Sequence, residues 1–171
     1  DPFAMPQPRP VATASAGILA DAIHSLVMRV YFEDTDASGI VYHANYLRFM
    51  ERGRSDMIRL LGFDQQAMLA LPVAERHYFT VRSINIDYLR PARLDDVLTV
   101  ESRVEALGGA QGTIAQRVLR QSTVLATASV RIACLGGDGR PRRIPATLRD
   151  AFARAFPTLS TRPETESAVA R

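Results

Sequence analysis

Residues 31–61, YFEDTDASGIVYHANYLRFMERGRSDMIRLL, constrain the fold most, because they pass from a predicted strand through an acidic loop into a long amphipathic helix. In the second half of this stretch, apolar and charged side chains alternate at helical spacing and occupy opposite faces. The apolar set is Tyr46, Phe49, Met50, Gly53, Met57, Leu60 and Leu61, and the polar set is Arg48, Glu51, Arg52, Ser55, Asp56 and Arg59. Since the rest of the chain offers mainly strand patterns, we expect a sheet to cover the apolar face of this helix.

The loop ahead of this helix carries the candidate chemistry. Asp34 and Asp36 lie in a loop that ends at Gly39, and the helix is predicted to begin between His43 and Asn45. The first turn of a helix leaves backbone N–H groups unpaired, and the helix dipole attracts negative charge there. The sequence therefore places a carboxylate close to a site that can stabilise an oxyanion.

Composition restricts the classes of function. The chain has 171 residues, of which 47% are hydrophobic and 23% charged, as is typical of one globular domain. Its net charge of +3 comes from arginines spread along the chain, which suits phosphate-bearing small molecules and is weak support for nucleic acid. The single Cys134 favours a reducing compartment. We find no secretory signal and no run near the roughly 20 apolar residues of a membrane span, so we expect a cytoplasmic protein.

Alternation and turn residues predict the remaining elements. Residues 1–25 are interpreted as a tag remnant followed by a poorly ordered arm, with a loose segment or a short helix over 18–23. Strands are predicted over 26–33, 78–89, 97–107, 113–120 and 124–135, and helices over 63–71 and 147–156. Short turns between the last three strands require antiparallel pairing. Thr147 is the predicted N-cap of the last helix. One domain is therefore expected over 26–156, followed by a flexible tail over 157–171.

The loop, the helix and the strands that follow resemble a known family. The run DTDASGIVYHANYLRF, followed by a helix, an antiparallel sheet and a PARLDD turn, resembles the hotdog-fold acyl-CoA thioesterases of the 4-hydroxybenzoyl-CoA thioesterase type over residues 27–148. The tripeptide Tyr42-His43-Ala44 is similar to the Tol-Pal-associated acyl-CoA thioesterase branch. The resemblance implies an α+β hotdog fold, with an antiparallel sheet of five or six strands wrapped around one long central helix. It also implies dimers joined through their sheets, commonly homotetramers, and thioester hydrolysis without a cofactor or metal.

The same resemblance implies roles for single residues. Asp36, the second acid of the D-x-D pattern, matches the catalytic carboxylate, which acts as a nucleophile or as the base that activates water. His43 matches the residue whose backbone amide polarises the thioester carbonyl. His43-Ala44 stand where the 4-hydroxybenzoyl type has Tyr-Pro, which argues against a 4-hydroxybenzoyl substrate. The candidate substrate-binding residues are Gly39, Ile40, Val41, Tyr42, Asn45, Tyr46, Arg140, Arg142 and Arg143, with the three arginines as ligands of the CoA phosphates.

Each of these residues also has an ordinary structural interpretation. An Asp ahead of a helix is most often a cap or turn former, and Tyr42 and Tyr46 are as compatible with core packing as with a pocket wall. Clustered arginines after a strand commonly form a solvated turn. His24, His43 and His77 are too dispersed for metal-ligand spacing, and no G-x-S-x-G or phosphate-loop motif occurs.

The sequence therefore predicts a thioester hydrolase acting on a short- or medium-chain acyl-CoA or acyl carrier protein thioester. The alternative is a module that binds acyl-CoA as a sensor or scaffold without hydrolysing it. A thiol-release assay over a panel of acyl-CoA substrates separates these two. Nucleic-acid binding is prompted only by the positive charge, and we expect no salt-dependent retention on DNA.

Overall fold

The computed structural model of the chain describes residues 16–161, which form one sheet, three α-helices and two short 3-10 helices. The strands are β1 (Ile18–Ala20), β2 (Ile23–Arg29), β3 (His77–Tyr88), β4 (Val97–Leu107), β5 (Gln111–Arg120) and β6 (Thr123–Gly136). The helices are α1 (His43–Leu60), α2 (Gln65–Ala70) and α3 (Ala146–Ala155). The predicted α+β class and the single long central helix are confirmed.

The six strands form an antiparallel sheet in the order β1-β2-β4-β5-β6-β3. Hairpin turns join β4 to β5 and β5 to β6, as the short polar connections predict. β3 precedes β4 in the chain but pairs with β6, so it lies at one edge of the sheet. The other side of this 12-residue strand has no strand beside it within residues 16–161.

Helix α1 packs its apolar face against the sheet, and at Gly53 the two are too close for a side chain. A Cβ atom added to Gly53 would lie 2.9 Å from Cγ1 of Val100 and 3.2 Å from Oγ of Ser102, both on β4. Only a residue without a side chain fits that gap. Phe49 and Met57 are fully buried one turn on either side, so this face of α1 is the centre of the core.

The predicted faces of α1 are wrong at two positions. Leu60, placed on the apolar face, is 43% exposed, because it is the last helical residue and extends past the sheet. Asp56, placed on the solvent face, is only 4% exposed. Its Oδ2 lies 2.7 Å from Nε2 of His24 and accepts a hydrogen bond from the backbone N of Gly17 at 2.8 Å. The strand pair β1–β2 therefore covers Asp56.

The N-terminal region departs from the sequence-based prediction. The short helix or loose segment expected over 18–23 is instead the hairpin of β1 and β2, which turns at Asp21 and Ala22 with positive φ values of 53° and 57°. β2 runs from Ile23 to Arg29, so the strand predicted over 26–33 begins three residues earlier and ends four residues earlier than expected. Residues 1–15, including the predicted tag remnant, lie outside the described residues, and the predicted domain boundaries stay predictions.

Two predictions near the C-terminus also change. Helix α3 begins at Ala146 with Pro145 as its N-cap, so Thr147 is inside the helix and the cap prediction is wrong. The flexible tail was predicted to begin at residue 157, but Ser160 is bonded to β4. The backbone N of Ser160 donates to Glu105 O at 2.8 Å, and the carbonyl of Ser160 accepts from Leu107 N at 3.0 Å. Residues 162–171 lie outside the described residues.

Candidate active site

A tight hairpin presents Asp36 at the surface. Thr35 and Val41 form an antiparallel bridge, and the backbone N of Asp36 donates to Ile40 O at 3.0 Å. The turn is closed by a hydrogen bond from Gly39 N to Asp36 O at 2.9 Å, and Gly39 has φ = 76°, a conformation that glycine adopts without steric cost. The Asp36 side chain is therefore exposed at the tip of a fixed turn.

The hairpin is tied to the beginning of α1 through Asp34. The carbonyl of Asp34 accepts hydrogen bonds from the backbone N of Tyr42 at 2.9 Å and from Nδ2 of Asn45 at 2.8 Å. The buried Asp34 carboxylate in turn accepts from the backbone N of Tyr31 at 2.8 Å. Asn45 is buried and supports the loop in this way, while its predicted contact with substrate stays a prediction.

A second set of contacts fixes the hairpin to the segment ahead of β4. Val41 N donates to Ala92 O at 2.9 Å, and Ile40 forms an antiparallel bridge with Arg93. The Tyr46 hydroxyl accepts a hydrogen bond from Ala92 N at 3.1 Å, and burial raises the pKa of this phenol. Val41 and Tyr46 are both buried in the core of the single chain. They therefore contribute to packing, and their predicted contact with substrate stays a prediction.

The Asp36 carboxylate is held through one oxygen only. Its Oδ1 accepts hydrogen bonds from both the hydroxyl and the backbone N of Ser38, the latter at 2.8 Å. These two bonds, with a smaller contribution from the nearby His43 imidazole, hold the pKa of Asp36 below its ordinary value of 3.8. Oδ2 receives no hydrogen bond from any group within residues 16–161. Asp36 is therefore ionised at neutral pH and has one oxygen open to solvent.

His43, at the amino end of α1, is near enough to this carboxylate for its imidazole to lower the carboxyl pKa. His43 is the first residue of the helix, and nothing in the described part of the chain accepts a hydrogen bond from its backbone N–H. Its carbonyl accepts a hydrogen bond from the Tyr88 hydroxyl at 3.0 Å. The His43 ring lies between Tyr42, at a centroid distance of 4.4 Å, and Tyr88, at 6.2 Å. The residue whose imidazole acts on Asp36 thus also carries a free backbone donor at the positive end of the helix dipole.

The predicted phosphate ligands lie elsewhere in the single chain. The three arginines follow β6, which ends at Gly136, opposite His77 of β3. Tyr88, which contacts His43, lies at the other end of β3, opposite Ala126. Ten strand residues separate those two ends of β6, a distance of about 30 Å at the usual rise of a strand. One chain therefore does not bring these residues to Asp36: Arg140, Arg142 and Arg143.

Other features of residues 16–161 are not part of this cluster. A groove of about 460 Å³ crosses the sheet near Glu101 and Arg117, and another of about 500 Å³ lies between α1 and α2, and neither includes Asp36 or His43. Burial raises the pKa of the Cys134 thiol to about 11, so this residue is not an available nucleophile. No three His, Cys, Asp or Glu side chains in this range are grouped so that they could hold a metal ion.

Comparison with known proteins decides the family. Residues 38–127 match the thioesterase superfamily. An acyl-CoA thioesterase YbgC from Haemophilus influenzae is 42% identical over 129 residues, covering 75% of this chain and 93% of the relative. An acyl-CoA thioester hydrolase YbgC from Escherichia coli O6:H1 is 40% identical over 127 residues, covering 73% and 92%. The chain belongs to the thioesterase superfamily.

Solved structures agree with this thioesterase membership. A probable thioesterase from Bartonella henselae has a TM-score of 0.70 at 43% identity, covering 72% of this chain and 100% of that one. A 1,4-dihydroxy-2-naphthoyl-CoA thioesterase from Synechocystis also has a TM-score of 0.70, but its 17% identity over 77% of this chain and 96% of that one shows the shared fold alone. The predicted family, hotdog fold and thioester hydrolase class are confirmed. No helix within residues 16–161 is long and apolar enough to cross a membrane.

Two residues at the candidate site were not predicted from the sequence. Ser38, which fixes Asp36, follows it by two positions, and Asp-x-Ser is a pattern in which the carboxylate caps the turn, so the signal was present. Tyr88 contacts His43 from 45 positions further along the chain, and nothing local in the sequence indicates that contact.

Proposed function

We propose that this protein hydrolyses acyl-CoA thioesters at Asp36 and the amino end of α1. The observation that carries the proposal is the state of the Asp36 carboxylate, which is ionised, fixed by Ser38 through Oδ1 and open at Oδ2. The His43 imidazole is near enough to lower the pKa of this carboxyl, and the backbone N–H of His43 is unpaired within residues 16–161. The two YbgC relatives named above, at 40% and 42% identity, support the substrate class.

Either of two routes uses this arrangement. Asp36 accepts a proton from a water molecule as the water oxygen attacks the thioester carbonyl carbon, or Asp36 attacks the carbon itself and the mixed anhydride is then hydrolysed. In both routes the C–S bond breaks, the thiolate leaves and takes up a proton, and the products are the free acid and the thiol. The open Oδ2 is suitable for both roles, so the two routes remain alternatives.

The amino end of α1 provides the oxyanion donor in both routes. As the tetrahedral intermediate forms, negative charge develops on the thioester oxygen, and the His43 N–H is free to donate to it. Removing one such donor typically costs about 3 kcal/mol of transition-state stabilisation. A substrate carbonyl seated between Oδ2 of Asp36 and the N–H of His43 thus meets a nucleophilic and an electrophilic group together.

Asp36→Asn tests the catalytic assignment, with Asp150→Asn as a matched control. Asp150 is exposed on α3, and its carboxylate makes no hydrogen bond or ion pair within the described residues. We expect Asp36→Asn to lower kcat for thiol release at least about a hundredfold with the thermal unfolding midpoint unchanged, and Asp150→Asn to behave as wild type. A folded Asp36→Asn protein with near wild-type turnover would contradict the assignment. Wild-type protein that binds acyl-CoA without releasing thiol would favour the sensor or scaffold alternative.

We further propose that two copies pair along the free edge of β3, giving a homodimer or, by further association, a homotetramer. In an antiparallel pair centred on the middle of β3, the His77 end of one strand lies beside the Tyr88 end of the other. This places the arginine segment of one copy next to the Asp36 hairpin of the other. The three arginines, Arg140, Arg142 and Arg143, then bind CoA phosphates in trans.

Subunit mixing tests this arrangement sharply. An Asp36→Asn chain is mixed with a chain carrying R140A, R142A and R143A, after reversible dissociation of the oligomers. In a mixed dimer, one site combines the intact Asp36 of the second chain with the intact arginines of the first. We expect mixtures to recover up to about a quarter of wild-type activity, because half of the dimers are mixed and each has one intact site. Activity no higher than the average of the two parent proteins would contradict binding in trans.

The substrate panel defines the remaining specificity. We propose a short or medium acyl chain on CoA or acyl carrier protein, handled in the cytoplasm, where the single Cys134 stays reduced. Comparing kcat/KM over acyl chains of increasing length, on each carrier, tests this proposal. A maximum at long chains would contradict the proposed chain length.

A further inference from the structure

Tyr88 connects the edge strand β3 to the first residue of α1. It is the last residue of β3 and pairs with Ala126 of β6, which is fully buried in the core. Its side chain is therefore on the helix-facing side of the sheet, where the hydroxyl donates to His43 O at 3.0 Å. The sheet and the amino end of α1 are thus joined at the position where the helix would otherwise fray.

The Tyr88 ring is supported on a fixed neighbour. Its centroid lies 5.4 Å from that of Tyr46, with an angle of 74° between the ring planes, which is an edge-to-face contact. Tyr46 is buried and its hydroxyl is held by Ala92 N. On its other side Tyr88 meets the His43 imidazole edge-on at 6.2 Å and 86°. The position of the Tyr88 hydroxyl is therefore set by the core.

The Tyr88 hydroxyl is a second hydrogen-bond donor to the His43 carbonyl, in addition to the donor within the helix. His43 O is the first carbonyl of α1, and within the helix it accepts from the N–H four residues later. A second donor on this oxygen restricts rotation of the first peptide units, among them the one that carries the unpaired N–H of His43. Partial burial raises the pKa of the Tyr88 phenol, so the hydroxyl keeps its proton at neutral pH. Tyr88 is also 46% exposed, so its ring borders the open side of the site.

We infer that Tyr88 is a positioning residue for thioester hydrolysis, which aligns the His43 N–H with the substrate carbonyl by holding the His43 carbonyl. This inference rests on the proposed function, because it assumes that the His43 amide is the oxyanion donor. An oxyanion donor acts fully only when it is held within a fraction of an ångström of its productive position. Loss of the Tyr88 hydroxyl should then weaken the transition state more than the bound substrate.

Tyr88→Phe removes the hydroxyl and keeps the ring, and Tyr78→Phe is its matched control. Tyr78 lies on the same strand, and its hydroxyl has no hydrogen-bond partner within the described residues. We expect Tyr88→Phe to lower kcat about tenfold with KM within twofold of wild type and an unchanged unfolding midpoint. Tyr78→Phe should change neither constant. A Tyr88→Phe enzyme with kcat within twofold of wild type would overturn the inference, as would a loss of kcat that only follows a loss of folded protein.

Hydrogen exchange gives a second readout that does not depend on activity. We expect the amide of Leu47, whose acceptor within the helix is His43 O, to exchange about fivefold faster in Tyr88→Phe than in wild type, with no change in the middle of the helix. Unchanged exchange there would overturn the inference even if turnover fell. Failure of the proposed function is distinguishable, because it would appear as full activity in Asp36→Asn, whereas failure of this inference would leave Asp36→Asn inactive and Tyr88→Phe active.

Discussion

Nε2 of His24 on β2 lies 2.7 Å from Oδ2 of Asp56 on α1, and both side chains are buried. The same carboxylate accepts from Gly17 N and, through Oδ1, from Nη1 of Arg59 at 3.2 Å. Asp56 thus attaches the hairpin of β1 and β2 to the central helix, although it lies 32 positions from His24 in the sequence.

Removing this carboxylate should destabilise the fold. Asp56→Ala leaves the imidazole of His24 buried without the acceptor for its Nε2, and its Nδ1 already has no partner within the described residues. We expect the free energy of unfolding to fall by about 3 kcal/mol, measured by urea denaturation. Asp150→Asn, at an exposed position on α3, is the control and should change it by less than about 0.5 kcal/mol. A loss below about 1 kcal/mol for Asp56→Ala would show that the pair contributes little.

The pH dependence of activity should report the Ser38 contact. Ser38 lowers the pKa of Asp36, and the ionised carboxylate is the active form in both proposed routes, so the activity of wild type is lost only as the pH falls through this depressed pKa. Ser38→Ala removes the larger of the two Ser38 contributions. We therefore expect the acid limb of kcat/KM to move to higher pH, with activity near neutral pH less affected.

The control for this profile is Ser122→Ala, in the exposed turn between β5 and β6. Carbon-detected NMR titration of the Asp36 carboxyl provides a direct measurement of its pKa, which stays interpretable if turnover is slow. A carboxyl pKa that is unchanged or lower in Ser38→Ala would contradict the role of the serine hydroxyl.

Most of the candidate site could be predicted because it is contiguous in sequence. The hairpin that carries Asp36 and the first turn of α1 span 11 residues, from Asp36 to Tyr46, and local signals determine this part. The helix was expected to begin near His43, where α1 does begin. Gly62, with φ = 90°, has the left-handed conformation expected just after a helix.

The parts that could not be predicted depend on distant contacts. Asp56 looks like a solvent residue until β2 places His24 against it, and β1 and β2 have no strong alternation because they are short and partly exposed. Tyr88 and Ala92 reach the site only because β3 runs to the same end of the sheet as the amino end of α1. The three arginines lie far from Asp36 because they are at the opposite end of β6. This separation becomes visible only once β3 is known to pair with β6.

The close contact of α1 with β4 makes Gly53 sensitive to substitution. Gly53→Ala would normally favour a helix by about 1 kcal/mol. Here the added methyl group would lie 2.9 Å from Cγ1 of Val100, so we expect a net loss of about 1–3 kcal/mol in the free energy of unfolding. Arg52→Ala, the exposed neighbour on α1, is the control and should change it by about 0.5 kcal/mol or less. A stabilised Gly53→Ala protein would mean that α1 can move away from the sheet.

A buried polar network beneath α1 gives the last prediction. Nη1 of Arg54 donates to Oε1 of Gln116 at 2.8 Å, and Nε2 of Gln116 donates to Oγ of Ser102 at 2.8 Å and to Met50 O at 2.9 Å. Arg54 is only 6% exposed, and its other contact is with the carboxylate of Glu51. Each buried member is thus satisfied by another, and removal of one leaves a charge or a donor unpaired.

Gln116→Leu should therefore cost about 3 kcal/mol in the free energy of unfolding, because Arg54 loses its acceptor in the core. Arg54→Met combined with Gln116→Leu removes both partners, and we expect the double variant to be at least about 1 kcal/mol more stable than the sum of the single effects predicts. Arg48→Met, at an exposed position on α1, is the control for losing an arginine and should be nearly neutral. Strict additivity of the two core substitutions would mean that Arg54 and Gln116 are stabilised independently of each other.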